Sequence, residues 1–517
     1  MDGRKPFWRF RNGDQQLAIL LSLLIGALVG ATVVAFIVLT GKLAARMYPP
    51  EGAGWRRILV PTLGSLVTGY LLWRYFPLAR GSGIPQTKFA LFISEGRISL
   101  RTVLGKFFCC SASLASGISL GREGPSAHVG AGIASVIGRK LKLSQDQVKA
   151  LVPVGCSAAL AAAFNTPIAG VLFSLEEIQG DLHAPILGTA VLSSATAWMM
   201  LHLLLGDDPL FHVPAYQLVH PLEFGIYAVL GIVGGLGSVL FVKLLLWIRA
   251  QFSSLPKWSV WLQPTAGGLF VGLLGFFVPE VLGVGYNHVE KVLDGDVVLK
   301  TVALLAILKI IATAVCYSTG NAGGIFGPSL FMGAMMGASV GSVAHDLLPT
   351  YTGNAGAYAL VGMGAAFAGI VRTPLTSVIM IFEMTRDYSI IVPLMIANLT
   401  SFFISQLFQP VPIYEALAEQ DGVHLPAAAS RSNHEQRRVA HVMRSQTGEP
   451  LPPGDFPHLH TDHTLNIALE RMGSAKVNTL PVVSRANARD LLGFVTLEDV
   501  LEAYGVGRPA DAKEYSE

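Results

Sequence analysis

Three short motifs of glycine and proline interrupt otherwise apolar sequence: Gly81-Ser82-Gly83-Ile84-Pro85, Gly121-Arg122-Glu123-Gly124-Pro125 and Gly324-Ile325-Phe326-Gly327-Pro328. Glycine and proline break helices, and broken backbone within a bilayer is tolerated only where it is buried in protein or lines a cavity. A helix that restarts there directs unpaired N–H groups, and the positive end of its dipole, at whatever lies in front of it. Three such starts suit an anion. The composition makes the bilayer the relevant solvent: 52% of the 517 residues are hydrophobic and 14% charged, and the mean hydropathy is +0.52. This describes a mainly α-helical polytopic membrane protein. A net charge of +3 gives no support to nucleic-acid binding.

The segment Arg4-Lys5-Pro6-Phe7-Trp8-Arg9-Phe10-Arg11 is basic, and the apolar run 17–40 that follows is too long for a signal-peptide core. The run therefore reads as a retained first helix, with residues 1–16 cytoplasmic. Segments 58–76, 222–248, 258–278, 302–317 and 390–408 are also long enough to span. Others, such as 103–120, 127–137 and 360–370, are short and punctuated, closer to half-spans or steeply tilted helices. The four cysteines, Cys109, Cys110, Cys156 and Cys316, lie in apolar stretches without metal-ligand spacing and read as small core residues.

The chain resembles itself. Gly121, Gly124, Pro125, Ser126, Gly130, Ala131 and Gly138 recur 203 residues on as Gly324, Gly327, Pro328, Ser329, Gly333, Ala334 and Gly341. A second window, Gly155, Ala158, Ala159, Ala161, Thr166, Pro167, Val171 and Glu176, recurs 207 residues on as Gly362, Ala365, Ala366, Ala368, Thr373, Pro374, Val378 and Glu383. Paired halves with interrupted hydrophobic segments at corresponding places point to a transporter with its site at the repeat interface.

Carboxylates inside a membrane are costly unless paired or hydrated, so Glu123, Glu176, Glu177 and Glu383 are each candidates for function. The repeat sorts them. Glu176 and Glu383 occupy equivalent positions, and a shared structural role such as capping backbone N–H groups explains both. Glu177 is matched by Met384 and Glu123 by Phe326, and a symmetric scaffold needs neither carboxylate. Glu123 sits at an expected helix start, where it reads either as an N-terminal cap or as a carboxylate in a site built for an anion, leaving when protonated.

At these residues the sequence resembles the CLC family of chloride channels and chloride/proton exchangers, from about residue 15 to 420. The three motifs appear in order, together with Phe164-Asn165-Thr166-Pro167 and Pro412-Ile413-Tyr414. The resemblance implies an inverted repeat with broken helices over 17–420, and a homodimer with one anion pathway per subunit in a plasma membrane, or the inner membrane of a bacterium. It implies Ser82, Tyr414 and the backbone of Ile325, Phe326 and Gly124 as the anion site, and Glu123 as the gate. Without it, Ser82 also admits the weaker reading of a turn or cap residue, and Tyr414 reads equally as a packed aromatic at a helix end. A serine in the first motif, where some relatives carry proline and prefer nitrate, favours chloride. Exchangers of the family usually carry a second glutamate at the inner end of the proton path, where channels have a nonpolar residue, and Glu177 holds that position. The expectation is a chloride/proton antiporter, with an uncoupled chloride channel as the alternative.

Beyond a linker at 421–438, residues 439–506 resemble a single CBS motif, a small α+β domain, followed by a disordered tail at 507–517. The pattern runs Leu465-Asn466-Ile467-Ala468-Leu469, Leu480-Pro481-Val482-Val483, then Leu492-Gly493-Phe494-Val495-Thr496-Leu497-Glu498-Asp499-Val500. Arg431, Arg437 and Arg438 favour a cytoplasmic location. CBS motifs normally pair around adenine nucleotides. Thr496 and Asp499 match the family's ribose-binding position, and Thr-x-x-Asp before a helix is also a capping pattern. No cofactor is required by this reading. An enzyme is disfavoured, since His434-Glu435 begins a zinc-protease motif whose second histidine is replaced by Arg438. A CBS-bearing cation transporter would need acidic, oxygen-rich coordination that these motifs do not offer, and a fluoride exporter fits Ser82 poorly.

Overall fold

The computed structural model describes residues 12–49, 52–182, 186–207, 210, 211, 213, 216, 218–295, 298–423, 438–445, 456–475, 477–485 and 489–503. The basic segment 4–11, the linker residues Arg431, His434, Glu435 and Arg437, and the tail 507–517 lie outside them. The chain divides into two compact units, Met1–Leu425 and Pro426–Glu517.

Among the described residues of the first unit, eight helices are followed by eight counterparts. The first set is α1 (Asn12–Met47), α2 (Arg56–Arg74), α3 (Ile84–Phe92), α4 (Leu100–Ala115), α5 (Glu123–Lys140), α6 (Gln145–Phe164), α7 (Pro167–Phe173) and α8 (Leu187–Leu205). The second is α9 (Glu223–Ser253), α10 (Gln263–Phe277), α11 (Tyr286–Leu293), α12 (Leu299–Ser318), α13 (Phe326–Leu347), α14 (Ala355–Val371), α15 (Pro374–Thr385) and α16 (Ile391–Phe408), and α17 (Ile413–Gln420) follows. Packing repeats with the sequence: α1 lies on α8 as α9 lies on α16, and α5 on α6 as α13 on α14. Equivalent helices also meet, α2 with α10 and α7 with α15.

The crossings explain the recurring small residues. A Cβ on Gly130 would lie 2.3 Å from the carbonyl oxygen of Gly155, and one on Gly333 would lie 2.3 Å from that of Gly362. Only glycine permits so close a backbone approach, the usual means of packing helices where no water drives them together. Within the described residues, six helical stretches are long and apolar enough to cross a membrane. Length and apolarity alone misjudge the others. The expected span 258–278 is a 3-10 turn, Lys257–Trp261, and then α10, because Pro264 in the first turn of α10 starts a new helix. Conversely, 89% of the apolar window of α6 is buried inside the unit, so its hydrophobicity serves protein packing and not lipid contact. Leu20, Leu203, Leu240, Phe277 and Leu407 are exposed on the outer helices, as lipid-facing residues are. All four cysteines are buried and free.

Among its described residues, the second unit has a three-stranded antiparallel sheet and two helices. Strands β1 (Arg444–Ser445), β2 (Thr479–Val483) and β3 (Leu491–Thr496) lie in the order β1-β3-β2. Helices α18 (Leu465–Ala475) and α19 (Leu497–Ala503) join a core of Val439, Leu459, Leu465, Met472, Leu480 and Val495.

Candidate functional site

Two equivalent turns lead into the centre of the membrane unit. Gly81 and Gly83 have φ of 81° and 99° before α3, and Gly283 and Gly285 have φ of 63° and 88° before α11. L side chains rarely adopt these angles. Gly283-Val284-Gly285-Tyr286 is thus the counterpart of Gly81-Ser82-Gly83-Ile84, a fourth helix start 202 residues on. A buried lysine fastens each turn. Lys106 Nζ donates to the carbonyls of Arg80 (3.2 Å) and Gly81 (2.8 Å), and Lys309 Nζ donates to those of Val281 (3.0 Å) and Gly283 (2.6 Å). Thr87 and His128 tie α3 to α5: the Thr87 hydroxyl donates to the Gly83 carbonyl at 2.7 Å, which leaves its oxygen to accept from His128 Nδ1 at 2.8 Å.

The second and third motifs meet directly. Gly121 and Gly324, equivalent residues, exchange N–H···O bonds of 2.7 Å in both directions, an antiparallel pair that only a two-fold relation between the halves produces. From this junction α5 and α13 both start. Pro125 and Pro328 have no N–H, while Ser126 and Ser329 already bond back to Arg122 and Ile325, so the first-turn donors left without a partner in their own helix are those of Glu123 and Gly124 on α5 and of Phe326 and Gly327 on α13.

Glu123 does not cap its own helix. Its carboxylate crosses to the other half, where Oε2 accepts from the Gly327 N–H at 3.2 Å and Oε1 accepts from the Tyr286 hydroxyl. The side chain is fully buried, and the Arg122 guanidinium lies 5.8 Å from the centre of the Tyr286 ring. A carboxylate here occupies a position that a helix start makes favourable for negative charge. The equivalent Phe326 points elsewhere, into a cluster with Phe164, Phe173 and Phe367 at ring distances of 5.1, 5.0 and 4.4 Å, which fixes the backbone that presents the α13 donors.

Ser82 and Tyr414 are 0% and 1% exposed; the Tyr414 hydroxyl has no hydrogen-bond partner among the described residues, and the Ser82 hydroxyl has only the Tyr317 side chain beside it. Leaving a buried hydroxyl unpartnered costs about 1–3 kcal/mol. Ser82 touches the second motif, since a Cβ on Gly124 would lie 2.8 Å from the Ser82 carbonyl oxygen. Tyr414 is in the first turn of α17, which packs on α3. Ile325 and Phe326 are both buried at the start of α13.

The paired glutamates form crossed caps. Glu176 accepts from the N–H groups of Leu375 (3.4 Å) and Thr376 (2.8 Å) and from the Thr376 hydroxyl (2.6 Å). Glu383 accepts from the N–H groups of Ile168 (2.9 Å) and Ala169 (2.7 Å), the equivalent residues of the other half. Glu177 is engaged differently. It lies in a π-helical turn, Ser174–Gln179, that follows α7 and separates it in direction from Glu176. Its Oε1 is 2.8 Å from Lys88 Nζ, which also lies 2.5 Å from Glu415 Oε1.

In the second unit, Thr496 and Asp499 bond each other reciprocally: the Thr496 N–H and hydroxyl reach Asp499 Oδ2 at 3.0 and 2.6 Å, and the Asp499 N–H reaches Thr496 Oγ1 at 3.2 Å. Arg444 adds an ion pair at 2.6 Å. Partial burial pushes the Asp499 carboxyl up, but the hydrogen bonds from Thr496 and Arg444 outweigh it and hold it below the ordinary range. The pair is a helix cap for α19 in this structure.

A family model described as voltage gated chloride channel matches residues 64–406, well over half of the 517 residues. The chain belongs to the CLC family. A CBS domain model matches residues 439–506. This CLC chain is 35% identical over 385 residues to a ClcB-like protein of Ralstonia nicotianae, covering 73% of the chain and 89% of the relative. It is 32% identical over 367 residues to the H(+)/Cl(-) exchange transporter ClcA of Vibrio parahaemolyticus, covering 70% and 78%. Its fold matches a slow cyanobacterial Cl-/H+ antiporter with a TM-score of 0.72 at 25% identity, over 78% of this chain and 97% of that one. It also matches the fold of a eukaryotic CLC transporter with a TM-score of 0.66 at 21% identity, over 96% and 90%.

The CLC fold thus brings Ser82, Gly124, Glu123, Ile325 and Phe326 to one junction of broken helices, with Tyr414 on the adjoining α17. Sequence reasoning missed Tyr286, Lys106, Lys309, Lys88 and Glu415. For the first three a signal exists: Lys106 and Lys309 are 203 residues apart, as the motifs are, and Gly283-x-Gly285 repeats Gly81-x-Gly83.

Proposed function

We propose that the protein is a chloride/proton antiporter in which Glu123 gates the anion pathway of each subunit and Glu177 accepts the counter-transported proton at the cytoplasmic end. The observation that carries this is the Glu123 carboxylate lying across the repeat junction on the Gly327 N–H. Ionised, the carboxylate holds those donors. Protonated, it loses its charge and its attraction to the dipole, and an anion arriving from Ser82 and Tyr414 replaces it. The buried hydroxyls of Ser82 and Tyr414 support an anion between them, completed by N–H groups of Ile325, Phe326 and Gly124. A cavity of about 450 Å³ lined by Arg80, Gly81, Arg249, Lys257, Tyr317 and Asp421 adjoins the first motif, and its excess of basic side chains concentrates anions at that mouth. The names of the relatives, an H(+)/Cl(-) exchange transporter and a Cl-/H+ antiporter, agree with this reading.

The membrane is a plasma membrane, or a bacterial inner membrane, with both termini cytoplasmic. Two subunits form a homodimer, each completing its own pathway because each chain contains both halves of the repeat. The CBS units pair across the dimer axis, and an adenine nucleotide there would have to compete with Arg444 for Asp499. Purified protein in liposomes should move chloride while driving protons the opposite way. A reversal potential that follows the chloride gradient alone, unmoved by a pH gradient, would replace the antiporter with an uncoupled channel.

A further inference from the structure

We propose that Glu415 is a second proton-accepting residue, sharing with Glu177 the single lysine, Lys88, so that the cytoplasmic proton site is a pair of carboxylates and not one. The inference rests on the antiporter reading and deepens it. Lys88, on α3, lies 2.8 Å from Glu177 Oε1 and 2.5 Å from Glu415 Oε1, and the three side chains are 7%, 7% and 12% exposed. With both carboxylates ionised this enclosed group carries one uncompensated negative charge, which burial makes costly. The second oxygen of Glu415, Oε2, is shielded from solvent and accepts no hydrogen bond among the described residues. That oxygen offers a proton an unoccupied position beside Lys88.

Other charged or titratable groups near the pair do not remove the imbalance. Glu176 is occupied by the N–H groups of α15 and adds negative charge close to Glu177. Arg372 acts on Glu415 from the end of α14 while its guanidinium bonds the carbonyls of Ser405 and Gln409 and the Ser405 hydroxyl, and its positive charge offsets no more than the negative charge that Glu176 adds. Tyr414, the residue before Glu415, has a buried and unpartnered hydroxyl. The step is a simple one: a proton from cytoplasmic water binds one carboxylate of the pair, and the charge of the triad goes from −1 to 0. Because Glu415 adjoins Tyr414 in the first turn of α17, proton uptake is placed one residue from the proposed anion ligand.

The test measures proton and chloride fluxes together in liposomes for Glu415→Gln, Glu177→Gln and the double variant. Glu415→Gln should lower the proton-to-chloride ratio at least twofold, Glu177→Gln should leave a residual ratio, and the double variant should move no protons. Glu415→Asp, which keeps a proton-binding oxygen, should restore coupling. A fall of both fluxes in proportion, with the wild-type ratio kept in Glu415→Gln, overturns the proposal. Infrared difference spectra across a pH titration give a readout independent of transport, with a protonated-carboxyl band expected to be lost in Glu415→Gln. If wild-type protein couples no protons yet this band depends on Glu415, the antiporter reading fails and the two-carboxylate site survives. A band indifferent to Glu415→Gln removes the site whatever the fluxes do.

Discussion

The two halves of the membrane unit are alike where they hold the fold and unlike where they face the junction. Lys106 and Lys309 fasten equivalent turns, Glu176 and Glu383 cap equivalent helices across the repeat, and Gly130 and Gly333 admit equivalent crossings. At the divergent positions the first half carries Ser82, Glu123 and Glu177, and the second carries Val284, Phe326 and Met384. The transport-facing carboxylates lie in one half, while the other contributes backbone donors, the Tyr286 hydroxyl and aromatic packing. The difference teaches how to read an intramembrane charge: one that the repeat duplicates satisfies backbone, and one that it does not is available for transport.

The comparison breaks first at Glu123. Glu123→Gln should abolish proton movement while chloride still passes, because the amide imitates the protonated gate and carries no proton, and paired flux measurements check this. If protons continue to move, the asymmetric carboxylate is not the gate. Ser82→Val, which gives the first half the residue of the second, removes a hydroxyl donor to an anion. A hydrogen bond to a charged group contributes roughly 1.5–3 kcal/mol, so calorimetric titration should find chloride binding weakened about tenfold or more.

Smaller and matched effects are expected of the duplicated pair. Glu176→Gln and Glu383→Gln should each reduce stability by about 1–3 kcal/mol, as weakened caps do, and by similar amounts, with the proton-to-chloride ratio kept. Thermal unfolding in detergent measures the loss, and a change of ratio in either variant would place that glutamate on the proton path. Least affected should be chains lacking residues 439–517. These should lose dimer stability on dilution and keep their anion selectivity, and a titration of the full chain with adenosine triphosphate then decides whether the second unit binds nucleotide or only joins subunits.

Much of the membrane unit was legible because its turns are made of glycine and proline at fixed offsets, which only a repeat explains. The fourth turn escaped because Val284 and Tyr286 replace Ser82 and Ile84 and no proline follows. A lysine within an apolar helix reads equally as a lipid-facing residue whose head reaches the interface, so Lys106 and Lys309 stay ambiguous until their carbonyl partners are seen. The contact of Lys88 with Glu415 joins residues 327 positions apart, one of them outside the repeat, and no spacing rule connects them. For Glu123 the helix-start position was readable, but that its carboxylate serves the opposite helix depends on the fold.

The crossed caps also set a timetable for synthesis. Ile168 and Ala169 obtain their acceptor from Glu383, 215 and 214 residues later in the chain. At about 5–20 residues per second, roughly 10–40 s pass before that glutamate is made. During this interval the start of α7 can be satisfied only by water, lipid headgroups or the insertion machinery, so the first half leaves the ribosome with two of its helix-start donors still lacking their acceptor. A chain that stalls before residue 383 presents this defect permanently, giving membrane quality control a local mark by which to recognise it.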